Sequence, residues 1–154
     1  MKQTFLFTVA ITILFNVLTS VSFAQDRENI SDSTKSGNMV VIVSDIESDK
    51  GSIMLALYDS KENYQTGKAS FSQKININNG KAQHVFAMIP YGEYAIKYYH
   101  DENLNGRLDT NLFGIPKEGY GFSNNASGNF GPADFEDARF IFNTSKQNVE
   151  LSIQ

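Results

Sequence analysis

The chain has no cysteine among its 154 residues. This absence excludes disulfide bonds, thiolate catalysis, cysteine-ligated metals and a lipid-modified N-terminal cysteine. A domain without disulfides must be held together by packing alone, or by packing together with a hard metal ion.

Basic residues are too few to dominate the charge, since 13 Lys and Arg stand against 17 Asp and Glu and the formal net charge is −4. The sequence pI is about 5.1, and no cluster of Lys or Arg interrupts the acidic balance. Such a chain repels phosphate groups. We therefore expect neither nucleic acid nor an anionic membrane as a partner.

Residues 1–24 have the pattern of a secretory signal peptide. Lys2 is the only charge, an uncharged apolar run follows, and the small residues Ser22 and Ala24 occupy the two positions that a signal peptidase inspects. The competing interpretation is an uncleaved anchor, because the run approaches the roughly 20 residues that span a bilayer. We expect cleavage after Ala24, a periplasmic or extracellular location, and no membrane attachment of the mature chain.

The polar segment 25–38 lacks periodicity and is predicted to be a flexible linker. From residue 39 to residue 154, short runs rich in β-branched and aromatic residues alternate with turn residues. Seven such runs predict an all-β domain, a seven-stranded antiparallel β-sandwich of immunoglobulin-like kind. The runs are MVVIVSDI, GSIMLALYD, FSQKINI, KAQHVFAMI, GEYAIKYYH, ARFIF and NVELSI.

Period-two alternation predicts which strand residues face the core, because side chains two positions apart share one face of a strand. The sequence NNG at 78–80 tolerates positive φ and predicts a hairpin between two of the runs. One short helical turn is predicted within YDSKENYQTGKAS. The residues predicted to face inward are Ile53, Leu55, Leu57, Tyr94, Ile96, Tyr98, Val149, Leu151 and Ile153.

A loop insert at residues 101–137 separates the fifth run from the sixth and shows almost no strand pattern. Connections in compact domains are usually about 4–6 residues long, so such a segment is either disordered or an ordered functional loop. Its many apolar residues favour order, because they must pack on the sandwich or on a ligand.

The insert begins within HDENLNGRLDTN, residues 100–111, where Asp and Asn side chains fall at alternate positions. Counted from residue 101, this is the first half of a calcium loop: alternate oxygens can wrap a hard cation, and a glycine at the sixth position allows the sharp bend. The carboxylate expected at the twelfth position is missing, because Leu112 stands there. The predicted metal ligands are Asp101, Asn103, Asn105, the Arg107 carbonyl and Asp109.

Two other interpretations of this loop stay open. Its side chains could bond only to their own backbone in successive Asx turns, or the loop could hold another hard cation. With two carboxylates in the loop, the calcium affinity should lie in the roughly 10⁻⁴–10⁻³ M range of extracellular modules. Any remaining ligand must come from outside the loop, and the acidic residues available downstream are Glu118, Asp134, Glu136 and Asp137.

Later in the insert, rings and amides form a candidate ligand-binding set, which consists of Tyr120, Phe122, Asn124 and Asn125. Rings can stack on a saccharide or a peptide while amides fix its orientation. The alternative is that the rings form a satellite core that docks the insert, and they would then be buried.

A hydrolase is a further hypothesis, and it requires His100 to converge with carboxylates in a cleft. Ser123 and Ser127 do not lie in a Gly-x-Ser-x-Gly setting, and His84 is predicted to be a half-exposed strand residue. Because the sequence shows no nucleophile with an oriented base, we expect no enzymatic activity.

The blocks HDENLNGRLDTN and GIPKEGYGFSNN, together with IPYGEYAIKYY, resemble a family of secreted bacterial proteins, domain of unknown function 2141, from about Val41 to the C-terminus. The resemblance implies an exported β-sandwich of transthyretin-like or carboxypeptidase-regulatory-like character and no particular activity. Leu104 stands where glycine is more usual in that family. We expect a non-enzymatic module for binding or envelope structure, with a saccharide or a protein as its ligand and calcium as its cofactor.

Overall fold

The computed structural model describes residues 35–129 and 131–154, and the predicted signal peptide and most of the predicted linker lie outside this part of the chain. Strand β1 begins at Ser36, inside the segment predicted as linker. The strands are β1 Ser36–Ser44, β2 Ser52–Tyr58, β3 Phe71–Asn76, β4 Ala82–Pro90, β5 Gly92–Asp101, β6 Tyr120–Phe122, β7 Phe140–Phe142 and β8 Lys146–Ser152. The helices are α1 Lys61–Thr66 and α2 Phe135–Ala138, with a 3₁₀ turn at Ser123–Asn125. None of the helices in the described part is long and apolar enough to cross a membrane.

All seven predicted runs contain a strand, and the all-β prediction is confirmed. The eighth strand, β6, lies inside the loop insert, where its three residues are too few to show a periodic pattern. Two sheets result, one in the order β4-β1-β8 and one in the order β3-β2-β5-β6, with β7 pairing the start of β5.

The sheets are antiparallel as predicted, except that β1 and β8 run parallel, with Val41 opposite Val149. Parallel neighbours require a long crossover between them. Here most of the domain, including the whole second sheet, lies between β1 and β8 in sequence. Local alternation along each strand contains no information about this pairing.

The core lies between the two sheets, because side chains from both belong to one buried cluster. Met39, Val41 and Val43 of β1 contribute one side of it. From the second sheet, the inward prediction is confirmed for Ile53, Leu55, Leu57, Tyr94, Ile96 and Tyr98, all of them buried. On β8, Leu151 is buried, while Val149, and Ile153 just after the strand, are partly buried and pack against the same cluster.

The turn at Asn78–Lys81 has the positive φ values that its sequence predicts, but it does not join two strands of the same sheet. Asn79 and Gly80 have φ of 52° and 71°, and Asn78 and Lys81 exchange two backbone hydrogen bonds. The turn joins β3 and β4, however, and these strands belong to different sheets. It is therefore a crossing between the two sheets, and the predicted hairpin is replaced by a sandwich corner.

The second cluster, called the satellite cluster below, covers part of the outer face of the second sheet. Helix α1 enters it, and this helix confirms the predicted helical turn: Ser60 caps its first turn and Gly67 ends it with a φ of 75°. The Tyr64 hydroxyl donates to the Ala133 carbonyl at 2.9 Å and so ties α1 to the insert. The cluster consists of Tyr58, Tyr64, Ala95, Phe122, Ala126, Ala133, Phe135 and Ala138.

Candidate functional site

The Asx loop, defined here as residues 101–109, leaves the second sheet at the last residue of β5. Asp101 is that residue and is completely buried. Its carboxylate accepts two backbone N–H groups, from Asn105 at 3.0 Å and from Gly106 at 2.9 Å. The chain therefore curls back over its own first residue, and Gly106, with a φ of 76°, makes the bend.

Three more side chains of the Asx loop turn toward one another. Asn103 and Asp109 are joined from amide Nδ2 to carboxylate Oδ2 at 2.6 Å, and the Asn105 Nδ2 donates to Asp109 Oδ1 at 3.1 Å. The Asn105 Oδ1 accepts the Arg107 N–H at 2.8 Å. The structure thus brings the four predicted side-chain ligands together in one turn, and the predicted Arg107 carbonyl belongs to the same turn.

Glu118 is the downstream acidic residue that reaches the Asx loop. Its carboxylate accepts the Glu102 N–H at 3.0 Å and the Asp109 N–H at 2.8 Å, and the side chain is buried. By contrast, Glu136 pairs with Lys61 and Arg139 on the satellite cluster. Glu118 therefore fastens both ends of the Asx loop to the start of the strand that follows.

Three carboxylates at the Asx loop lack a basic partner within the part of the chain that the structure describes, whereas Glu102 lies beside His100. In residues 35–129 and 131–154, none of Asp101, Asp109 and Glu118 forms an ion pair. The phenol pKa of Tyr99 is raised, first by burial and then by the negative charges of Asp101 and Glu118. The described residues contain no group of three His, Cys, Asp or Glu side chains arranged for a metal. A cation here would have to be held by two carboxylates and neutral oxygens.

Ser52 adds a polar atom that the sequence did not indicate. It lies opposite Asp101 in the β2–β5 register, so both side chains project from the same face of the sheet. Ser52 is completely buried, and its Oγ is the one buried side-chain oxygen or nitrogen without a hydrogen-bond partner in the described part. Only the register of two strands far apart in sequence could have revealed it.

The predicted ligand-binding set divides into a structural part and an accessible part. Phe122 is buried in the satellite cluster. Asn124 donates from Nδ2 to the carbonyls of Asp137 and Arg139, and both Asn124 and Asn125 adopt positive φ. These amides therefore shape the 3₁₀ turn. Tyr120 is half-buried, touches the Phe122 ring edge-on and lines an open groove.

That groove, called the outer groove below, lies on the outer face of the second sheet beside the satellite cluster, whose Tyr58 and Phe122 contribute to its lining. Its volume is about 500 Å³, within the range of small-molecule sites. The floor comes from β2 and β5, and residues from the Asx loop and from the segment before α2 add to its lining. They include Met54, Ala56, Lys97, Tyr99, Leu108 and Pro132.

A comparison with known families matches residues 41–150 to the model described as an uncharacterized protein conserved in bacteria, DUF2141. The chain belongs to the DUF2141 family. No curated protein and no solved structure matches it. Membership in DUF2141 carries no assigned reaction, so the chemistry of this DUF2141 domain has to be argued from its own residues.

The histidines of this DUF2141 domain lie apart. His84 is half-buried on β4, as predicted for a strand residue, and its ring touches Phe86. His100 is buried, with Nε2 at 2.6 Å from the Lys50 carbonyl and Nδ1 at 4.0 Å from Glu102 Oε1.

A pocket beside the Asx loop includes His100, Glu102 and Glu118, and it resembles the cleft that the hydrolase hypothesis requires. Ser48 also lines this pocket, and its hydroxyl accepts the Lys50 N–H at 3.1 Å. In the described part of the chain, neither ring nitrogen of His100 forms a hydrogen bond with a hydroxyl group. The pocket thus brings His100 near two carboxylates, and no hydroxyl group of the described residues is oriented by its ring.

Proposed function

We propose that this protein is an exported, non-enzymatic β-sandwich module whose Asx loop binds a calcium ion weakly, and that the ion holds the loop insert in place. The observation that carries the proposal is Asp101, a completely buried carboxylate without a basic partner in the described residues. Buried charges in proteins are generally paired or coordinate metals, because burying an unpaired charge is costly.

The oxygen atoms near Asp101 are of the kinds that bind calcium. Carboxylate, amide and carbonyl oxygens are the ligands of calcium, which takes six to eight of them in flexible geometry. Asp101, Asn103, Asn105 and Asp109 already lie in one turn, and the Arg107 carbonyl follows in it. The amide nitrogens of Asn103 and Asn105 donate to Asp109, so ion binding requires both amides to turn their oxygens toward the ion. The Ser52 Oγ supplies a further oxygen, directly or through a water molecule.

The competing account is a metal-free loop. Both oxygens of Asp101 already accept backbone N–H groups, and such Asx turns can stand without an ion. A carboxylate oxygen has more than one lone pair, however, so these bonds leave room for coordination. The two accounts differ in one measurable property, which is the response of stability to calcium.

A thermal melt in calcium, in magnesium and in chelator tests the proposal. An ion that binds only the folded state stabilises it by about 1.4 kcal/mol at a concentration about ten times Kd. Calcium should therefore raise the melting temperature, and magnesium should do less, because it demands a tighter octahedron and releases water reluctantly. Identical melts in calcium and in chelator would overturn the proposal.

Asp109→Asn provides the matched test of the site, because the amide keeps the size of the side chain and loses its charge. This variant should lose the calcium response. Asp49→Asn is the control, since Asp49 also accepts two backbone N–H groups, those of Asn79 and Gly80, in a different turn. The control should change the melting temperature equally in calcium and in chelator.

A further inference from the structure

The outer groove has a defined floor, because the strand register places its side chains in two rows across the sheet. Ala56 is small and lies beside larger neighbours, so the floor is recessed at its centre. One row consists of Lys74, Met54, Tyr99 and Tyr120, and the other of Ser72, Ala56, Lys97 and Phe122.

Most of the surface that the outer groove presents is apolar or aromatic. Met54, Tyr99 and Tyr120 share one row, and Leu108 adds an aliphatic side chain from the Asx loop. Pro132 contributes from the segment before α2. A ligand that fits this surface must offer an apolar ring or chain, since few polar partners are available along the floor.

The charge of the outer groove is opposite to that of the chain. Its lining includes two cations, Lys74 and Lys97, and no Asp or Glu, whereas the formal net charge of the chain is −4. In the described residues, neither lysine forms an ion pair. The groove therefore concentrates unneutralised positive charge on a protein that is acidic elsewhere.

Lys97 is held in place at the floor of the groove. Its Nζ donates to the Tyr64 carbonyl at 2.7 Å and lies 3.8 Å from the centre of the Tyr64 ring. An ammonium group has three donors; one bonds to the Tyr64 carbonyl, and the group also lies 5.1 Å from the centre of the Tyr58 ring. Burial lowers the pKa of Lys97, as expected for an ammonium group that is partly removed from water.

From this arrangement we infer that the outer groove binds a small amphipathic carboxylate, with its apolar part on Met54, Ala56, Tyr99 and Tyr120 and its carboxylate on the Lys97 ammonium group. Lys74, on the opposite side of β2, adds long-range attraction. A neutral saccharide would leave the lysine charge without an anionic partner and would cover the apolar floor with polar hydroxyl groups. A charge-assisted hydrogen bond in a partly desolvated site is among the stronger polar contacts.

The inference goes beyond the calcium proposal and does not depend on it. Leu108 lies on the Asx loop and lines the groove, yet Lys97 and the floor residues belong to strands β2 and β5. Carboxylate binding with no calcium response would contradict only the proposed function. A calcium response without carboxylate binding would contradict only the present inference.

An NMR titration of the backbone amides with octanoate tests the inference, with octan-1-ol as the neutral probe of equal chain length. Octanoate should shift the amides of β2 and β5 around Ala56 and Lys97 in a saturable way and bind more tightly than octan-1-ol. Equal affinity for the two probes, or no saturable shift with octanoate in the millimolar range, would overturn it.

Two variants locate the binding. Lys97→Met keeps most of the apolar stem and should weaken octanoate binding about tenfold while leaving octan-1-ol unaffected. Lys81→Met, in the exposed turn between β3 and β4, is the matched control and should bind octanoate as the wild type does. Equal effects of these two substitutions would contradict recognition by Lys97.

Ala56→Phe fills the groove without removing charge and should abolish the binding of both probes. This variant keeps the inference testable if Lys97→Met loosens α1, and unchanged octanoate binding in Ala56→Phe would place the ligand elsewhere and overturn the inference. Vesicles of phosphatidylcholine with phosphatidylglycerol distinguish a membrane surface from a free ligand. Binding to these vesicles without any octanoate shift would also overturn it.

Discussion

Ser52 and Asp101 face each other across β2 and β5, both completely buried, with a carboxylate on one strand and a hydroxyl without a hydrogen-bond partner in the described residues on the other. A buried unsatisfied hydroxyl costs about 1–3 kcal/mol. The pair is accounted for if a cation, or a water bound to it, lies against both side chains. This relationship leads to the first prediction.

Ser52→Ala should reduce the rise in melting temperature that calcium produces, because it removes one of the oxygens around the proposed ion. In chelator the same variant should be as stable as the wild type or more stable, since an unsatisfied hydroxyl has been deleted. Ser72→Ala, an exposed serine on the same outer face of the sheet, should change neither value. A full calcium response in Ser52→Ala would remove Ser52 from the site.

Leu104→Gly should stabilise the protein by about 0.5–1 kcal/mol. Leu104 has a φ of 62°, a left-handed conformation that costs a side-chain-bearing residue about 1–2 kcal/mol. Glycine removes this strain, but its greater freedom in the unfolded chain offsets part of the gain in stability.

Urea denaturation measures this effect, and Leu112→Gly is its control. Leu112 is fully exposed and does not have a positive φ, so the substitution brings the entropic cost alone. The two variants should therefore change the free energy of unfolding in opposite directions. Equal destabilisation by both would show that Leu104 is not strained.

Leu55→Ala and Ile96→Ala should each lower the free energy of unfolding by about 2–5 kcal/mol, through lost transfer energy and the cavity left behind. Both side chains lie in the core between the sheets. Ile141→Ala is the control, because Ile141 is an exposed strand residue and should change stability by about 0.5 kcal/mol or less. Chemical denaturation of the three variants measures these changes in the free energy of unfolding.

How far the sequence predicts this fold depends on the range of the interactions involved. The inward faces of β2 and β5 were predictable, because alternation is a property of a single strand. The partner of β8 was not, because its parallel pairing with β1 joins residues such as Val41 and Val149 across the whole domain. The turn at Asn79 and Gly80 was likewise predictable as a turn, while the sheets that it connects were not.

In the candidate site, too, the local features were predictable from the sequence and the long-range contacts were not. The spacing of Asp101, Asn103, Asn105 and Asp109 is local, and it identified the side chains that the structure brings together. Ser52 belongs to another strand, so no local pattern could find it. The sequence grouped Tyr120 with Phe122, and their rings do touch. Only the packed structure shows that Phe122 is buried in the satellite cluster while Tyr120 stays half-buried, and that both line the groove.

Exported material should begin at Gln25, because a signal-peptidase pattern ends at Ala24. The intact mass of protein collected from the periplasm or the medium tests this prediction. A mass that still includes residues 1–24 would favour the uncleaved anchor and would contradict the expected cleavage after Ala24.

Calcium binding by the Asx loop is the central claim, and a titration of backbone amide NMR signals with calcium tests it most directly. The amides of Asn105, Gly106 and Arg107 donate to side-chain oxygens of the loop, so they should shift together and saturate with a Kd in the roughly 10⁻⁴–10⁻³ M range. The amides of Asn79 and Gly80, which donate to Asp49, should stay in place. If the loop amides do not move at calcium concentrations several-fold above ~10⁻³ M, or if both sets of amides shift alike, the Asx loop has no specific calcium site.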